Sequence, residues 1–232
     1  MKKWKQAITA VILLLVVSVG SIGIIGYVRY KTLIMENPLE DVIARIQSDP
    51  NYIPLEDVSD DFIQALLAVE DPEFYSHHGV VLSNIIEAAA TNMREHRLAM
   101  GGSTITQQLS KNLYLDSKKT FQRKIAELFF VHDLEQSLSK DEILELYINV
   151  IYFGDGYYGI GAACEGYFHQ QPKDITMAQA TLLAGLPQAP ALYQLSDGMM
   201  YAKQRQHAVL EAMEQQQLIN HDQLAFIYRQ PI

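Results

Sequence analysis

The longest apolar stretch of the chain comes first. From Ala7 to Val28 it reads AITAVILLLVVSVGSIGIIGYV, 22 residues without a charge, against about 20 needed for a helix to cross a bilayer. A cleavable leader has an apolar core of about 7 to 15 residues followed by a small-residue cleavage site. This run is longer and ends in Tyr27-Val28-Arg29-Tyr30-Lys31, so it predicts a single transmembrane helix over 7–28 with a short cytoplasmic segment, 1–6, before it. Lys2, Lys3, Lys5 and the α-amino group outweigh Arg29 and Lys31, which predicts an inside N-terminus and a body on the outer face of the cell membrane. Gly20, Gly23 and Gly26 could let another helix approach closely, but glycine is common in membrane spans and the spacing is not G-x-x-x-G.

Beyond the span the pattern changes twice. Residues 29–54 contain Asn37-Pro38, Asp49-Pro50 and Pro54, which interrupt helices and predict a juxtamembrane stalk. From about residue 55 to 232 the apolar positions recur with helical period. In SDDFIQALLAVED, Ser59 is placed to cap, Asp60 and Asp61 complement the helix dipole, and Phe62, Leu66 and Val69 fall at i, i+4 and i+7. Pro72 disfavours helical geometry at Asp71, so Glu70 falls at the helix end. Ser139 with Glu142, Thr176 with Gln179 and Asn220 with Gln223 have capping-box form, and Gly185 with Pro187 closes the helix that starts near Met177. No sustained period-2 pattern occurs. The fold class is mostly α.

Composition sharpens this picture at two points. The 232-residue chain has a formal net charge of −9, yet no acidic residue precedes Glu36 while five basic residues do. The remainder carries 13 basic against 27 acidic residues, a net charge of −14, which argues against sequence-independent nucleic-acid binding. Any anionic ligand must meet a local basic cluster. The one cysteine, Cys164, precludes an intramolecular disulfide and reads as a small buried hydrophobe.

Three segments carry candidate chemistry. In Glu70-Asp71-Pro72-Glu73-Phe74-Tyr75-Ser76-His77-His78-Gly79, Glu70 ends an apolar helix, where burial raises a carboxyl pKa toward the range of a general base or acid. The alternative is a solvated helix end with histidines lining a loop; adjacent histidines do not match zinc-ligand spacing. In Gly101-Gly102-Ser103-Thr104-Ile105-Thr106-Gln107-Gln108-Leu109-Ser110-Lys111-Asn112, Ser103 reads as the N-cap. Thr104, Gln108 and Lys111 then share one helical face, able to present a hydroxyl, an amide and a cation to an oxygen-rich ligand. The third segment, Lys118-Lys119-Thr120-Phe121-Gln122-Arg123-Lys124-Ile125-Ala126-Glu127, puts four basic residues within seven positions of an acidic body. Glu127 can also simply pair with Arg123 and Lys124 on a helix surface.

Together these segments resemble the peptidoglycan glycosyltransferases, the family 51 transglycosylases found as monofunctional enzymes and as the front domain of class A penicillin-binding proteins. Glu70, Asp71, Phe74, His77 and Gly79 match that family's E-D-x-x-F-x-x-H-x-G motif. Residues 101–112 match G-x-S-T-[IL]-T-Q-Q-x-x-K-N, and Arg123, Lys124 and Glu127 match R-K-x-x-E. A fourth motif runs from Glu142 through Glu145, Tyr147 and Asn149 to Gly154, and the stretches from Gly159 and from Ala180 resemble the closing segments. Two departures are Lys119, where many relatives carry Arg, and Pro72-Glu73, where they often carry basic or polar residues.

The resemblance implies a lysozyme-like, mostly helical domain over 55–232 with a small membrane-facing jaw, and polymerisation of lipid II into glycan strands with inversion and loss of polyprenyl pyrophosphate. It implies Glu70 as the general base and Glu127 as a second acidic residue in catalysis. Asp71, Phe74, His77, Ser103, Thr104, Gln107, Gln108, Lys111, Asn112, Lys119, Arg123 and Lys124 are implied as substrate contacts, with the cations on the donor pyrophosphate. No cofactor is called for, and no ligand cluster indicates a metal, although a divalent cation is compatible. The partners implied are lipid II, the growing strand, the membrane and other wall-synthesis proteins. The short chain reads as monofunctional. A glycan-cleaving enzyme of lysozyme-like fold and a catalytically idle membrane scaffold are the rival readings.

Overall fold

The computed structural model describes residues 2–83, 102–115 and 120–232. Helix α1 spans Lys2–Glu36 and α2 Leu39–Gln47, separated at Asn37-Pro38. Then come α3 (Asp60–Glu70), α4 (Ile105–Tyr114), α5 (Phe121–Ser137) and α6 (Lys140–Val150). The remaining helices are α7 (Ile160–Phe168), α8 (Met177–Gly185), a short α9 (Pro190–Tyr193), α10 (Met199–Gln215) and α11 (His221–Arg229). Among the described residues there is no strand, only one bridge between Tyr152 and Tyr158. The chain is mostly helical, as its periodicity predicts.

The starts of these helices follow local chemistry. The capping boxes at Ser139, Thr176 and Asn220 are all formed. Ser59 occupies the N-cap of α3, but its hydroxyl makes no capping bond. Helix α4 departs from expectation by one residue. Its cap is Thr104 rather than Ser103, because Thr104 takes the Gln107 amide on its hydroxyl while the Gln107 side chain takes the Thr104 N–H.

Helix α8 lies at the centre, with every residue from Ala178 to Gly185 buried. A short helix buried on all sides belongs inside the core; α3 and α10 pack against it. Phe62 of α3 is fully buried and lies 6.3 Å, centroid to centroid, from Phe153. Cys164 is buried in the same core, and desolvation pushes its thiol up to about 12.

The expected stalk is not a free connector. Its prolines do end helices, but the pieces fold back onto the body, with Leu39 and Val42 buried. Asn149 of α6 accepts from Ile53 N–H and donates to Ile53 C=O, each at 2.8 Å. Glu145 accepts from Leu55 N–H and from the Tyr52 hydroxyl. These are the second glutamate and the asparagine of the fourth sequence motif, so that motif buckles residues 52–55 to α6.

Helix α1 also docks. Gly26 faces Ile125 of α5 so closely that a Cβ there would lie 2.6 Å from the Ile125 side chain. Tyr30 donates to Asp133 at 2.6 Å, and its ring stacks on Phe129 and meets Phe130 edge-on. Phe130 in turn stacks on Tyr114 of α4, 4.1 Å between centroids. Among the described residues no helix is long and apolar enough to cross a membrane. Side chains 7, 10–12, 14–16 and 19 of the expected span lie outside that set.

Phe62→Ala is expected to lower the stability of the purified chain by about 3 to 5 kcal/mol, the usual cost of deleting a core phenylalanine, read by denaturant unfolding in detergent. A loss under 1 kcal/mol would show that α3 is not anchored through this side chain.

Candidate active site

The site is assembled around the end of α3. Pro72 stops the helix, so Glu70 is its last residue and Asp71 its C-cap. The two neighbouring carboxylates turn to different tasks.

Asp71 points inward and is buried. Its two oxygens lie 2.9 Å from His77 Nε2, and Oδ2 also accepts the Ile105 N–H at 2.9 Å. His77 Nδ1 accepts from Gly79 N–H, so the ring proton sits on Nε2 and is donated to Asp71. Gly79 has φ +86°, and a Cβ there would press on Val131 at 2.5 Å, so only glycine fits. Its carbonyl accepts from the Thr104 hydroxyl at 2.6 Å. The first motif is therefore a latch that fastens the loop after α3 to the first turn of α4. Phe74 is fully buried beneath it, with the Lys140 ammonium 4.7 Å from its ring centroid.

The latch sets α4 beside Glu70. Gln108 Nε2 donates to Glu70 Oε2 at 2.7 Å. The Tyr147 hydroxyl of α6 donates to Gln108 Oε1 at 3.0 Å, and burial keeps that phenol protonated, so the amide can only turn its NH2 toward the carboxylate. Arg205 of α10 brings Nη2 to 3.5 Å from Glu70 Oε1. Burial raises the Glu70 pKa above its ordinary 4.5, and the Gln108 and Arg205 contacts pull against that rise. A carboxyl so placed can accept and return a proton nearer neutrality than a solvated glutamate.

One residue earlier on α4, Gln107 reaches the other cluster. Its Nε2 lies 3.3 Å from Oε1 of Glu127, a buried carboxylate on α5. Glu127 Oε1 also pairs with Lys124, and Oε2 with Arg123 at 2.8 Å. Thus Glu127 holds the two cations by their heads. Arg123 Nε is buried and has no partner among the described residues.

Glu70, Gln107, Gln108, Glu127, Arg123 and Lys124 are brought together in this way. Asp71, Phe74, His77 and Thr104 stand behind them and shape the wall. Ser103, Lys111 and Asn112 are exposed along α4 and its approach, while Gly101, Lys118 and Lys119 lie outside the described residues. Two contributors are absent from the sequence assignment. Tyr147 sits within the fourth motif, and Arg205 is 135 positions from Glu70. The available signal for Arg205 was a charge on an apolar stripe, between the buried Ala202 and Val209 at i−3 and i+4. Among the described residues no group of three or more His, Cys, Asp or Glu side chains is arranged to hold a metal.

The transglycosylase family model matches residues 39–214; the chain belongs to the transglycosylase family. It is 41% identical to penicillin-binding protein 2D of Bacillus subtilis (strain 168) over 181 residues, which are 78% of this chain and 26% of that protein. It is 45% identical to penicillin-binding protein 1A of Neisseria gonorrhoeae over 155 residues, 67% of this chain and 19% of that protein. The crystal structure of penicillin-binding protein 1A from Haemophilus influenzae aligns with a TM-score of 0.47 at 22% identity, covering 78% of this chain and 17% of that one. The chain thus spans about a quarter or less of the length of these relatives.

Two outcomes are expected. Asp71→Asn turns an NH2 toward donors that need an acceptor, and should cost about 1 to 3 kcal/mol in denaturant unfolding; an unchanged midpoint would refute the latch. For Glu70, the raised folded pKa means the native state binds its proton more readily than the unfolded chain. Its stabilising contribution is full below about pH 4.5 and is lost as pH rises through the folded value. The stability of wild type relative to Glu70→Gln should therefore fall across that window and then level off, and a pH-independent difference would contradict the raised pKa.

Proposed function

We infer that the chain polymerises lipid II into the glycan strands of peptidoglycan, by inverting glycosyl transfer. Glu70 takes the proton from the 4-hydroxyl of the acceptor sugar. The freed oxygen attacks the anomeric carbon of the lipid-linked donor, and the bond to the polyprenyl pyrophosphate breaks. Arg123 and Lys124, with Lys111 and Lys119, meet the charge that builds on the leaving pyrophosphate. Glu127 keeps Arg123 and Lys124 in place, and the exposed Ser103 and Asn112 line the approach of the sugars.

One observation carries this reading: Gln107 and Gln108, neighbours on α4, tie a largely covered carboxylate on one side to a pair of carboxylate-held cations on the other. A base and an anion site joined by a single helix turn suit a reaction that removes a proton at one end and releases a pyrophosphate at the other. General-base help is worth about 10²- to 10⁴-fold, and cations fixed in advance where charge develops often supply the largest share of catalysis. Membership of the transglycosylase family supports the same reaction class, and with it the lysozyme-like architecture.

The substrate is a lipid, which gives the apolar run 7–28 its purpose: a single-pass anchor with the N-terminus in the cytoplasm and the catalytic body on the outer face. Enzyme and substrate then meet by diffusion in one membrane. No cofactor has a role in this scheme.

The test is polymer formation from purified lipid II by the full chain in detergent or liposomes, with Glu70→Gln beside it. Wild type should extend strands and the variant should lose at least about 10²-fold in rate. Shortening of preformed glycan without new polymer would favour a hydrolase, and activity surviving in Glu70→Gln would remove the base assignment.

A further inference from the structure

Resting on the reading of Glu70 as the base, we propose that Arg205 is its positioning residue and that Oε1 is the atom that takes the acceptor's proton. The two carboxylate oxygens are held differently. Oε2 is fixed by the Gln108 amide at 2.7 Å, and Gln108 is itself fixed by Tyr147. Oε1 faces the Arg205 guanidinium at 3.5 Å, too long for a strong charge-assisted hydrogen bond yet well within Coulombic range. A cation at that distance favours the charged carboxylate without closing the lone pair that must receive the proton. A bidentate arginine at 2.8 Å would have occupied the base.

The long contact is built into the packing. Arg205 Nε donates to the Gly185 carbonyl at 3.4 Å, at the end of the central helix α8. Gly185 has ordinary backbone angles, so its lack of a side chain serves space: a Cβ there would lie 2.7 Å from Arg205 Cγ. The Arg205 side chain is 13% exposed and that of Glu70 10%, so their interaction is poorly screened.

The groups that set the charge state of Glu70 come from every element around it. Arg205 comes from α10 and Asp71 from the adjoining loop, while α6 sends the protonated Tyr147 through Gln108. Helix α8 contains no titratable residue. Arg205 is the cation of this set, and Asp71 opposes it. During transfer the acceptor O–H bond breaks, an O–H bond forms at Oε1, and Glu70 becomes neutral. Its hold on Arg205 weakens, and ionisation draws the pair together again when the proton leaves for solvent.

The experiment compares wild type with Arg205→Gln, Arg205→Lys and Gly185→Ala, all as full chains in detergent. Two readings are taken: the pH profile of kcat and KM with lipid II, and the carboxyl titration of Glu70 by 13C NMR, assigned through Glu70→Gln. Arg205→Gln should move the Glu70 titration and the acid limb of kcat upward by about one pH unit or more, as expected for loss of an opposite charge within 4 to 6 Å. The kcat should fall about tenfold or more below the new limb, recover above it, and leave KM within about threefold. Arg205→Lys should restore most of the shift, and Gly185→Ala should give an intermediate one. An unmoved titration in folded Arg205→Gln, or a rate loss equal at all pH values, would overturn the proposal. If Arg205→Gln fails to fold, the same decision rests on Gly185→Ala, where an unmoved titration overturns it. Absence of polymer with wild type would defeat the reading of the reaction alone, because the NMR titration tests the Arg205–Glu70 pair without substrate.

Discussion

The buried carboxylate of Asp71 joins two chain segments, the loop after α3 through His77 and the first amide of α4 through Ile105, and the Thr104 hydroxyl on the Gly79 carbonyl fastens the same pair. Each bond is short, all are shielded from water, and a charged acceptor strengthens them. The geometry of Glu70 follows from this joint. If the start of α4 shifted by one residue, Gln108 would leave the carboxylate and Gln107 would leave Glu127. A motif that looks catalytic in a sequence thus contains one residue, Glu70, proposed for chemistry and several whose contacts hold the loop in place.

The cluster on α5 solves a different problem. Two cations brought close together, Arg123 mostly covered and Lys124 partly open to solvent, repel each other unless an opposite charge lies between them. Glu127, itself buried, takes one head on each oxygen. Its burial is tolerable only because it is paired on both sides and touched by Gln107 as well. The net positive charge that remains is delivered at a fixed place, and this body, acidic as a whole, needs such a site to hold an anion. Neutralising half the charge of the cations sacrifices attraction and gains position.

Much of the fold was open to inspection in the sequence because its signals are local. Capping boxes at Ser139, Thr176 and Asn220, the stop at Pro72 and the burial of Cys164 each depend on a few adjacent residues. The cap of α4 misled by one position because Ser103 and Thr104 are both good caps, and only the partner three residues on, Gln107 rather than Thr106, decides between them. The supposed stalk misled for another reason: prolines mark where helices stop and say nothing of where the next piece goes. Its docking depends on Glu145 and Asn149, nearly a hundred residues away. The pairing of Arg205 with Glu70 was beyond reach for the same cause. Helical periodicity reveals that a position faces inward, but which carboxylate waits there is a property of the packed structure.

The contact between Gly26 and Ile125 has a geometrical consequence. Ile125 lies immediately after Arg123 and Lys124 on α5, and Gly26 lies two residues before the end of the uncharged run of α1. Were α1 to serve as the anchor proposed above, this seam would work as a depth gauge, setting the cations near the level where hydrocarbon gives way to headgroups, a height a flexible tether would not maintain. Under that proposal the protein would not have to search along the membrane normal for the phosphates of a lipid-linked donor. Tilting such an anchor would carry the cations with it and would make bilayer thickness a variable to which the site is mechanically exposed.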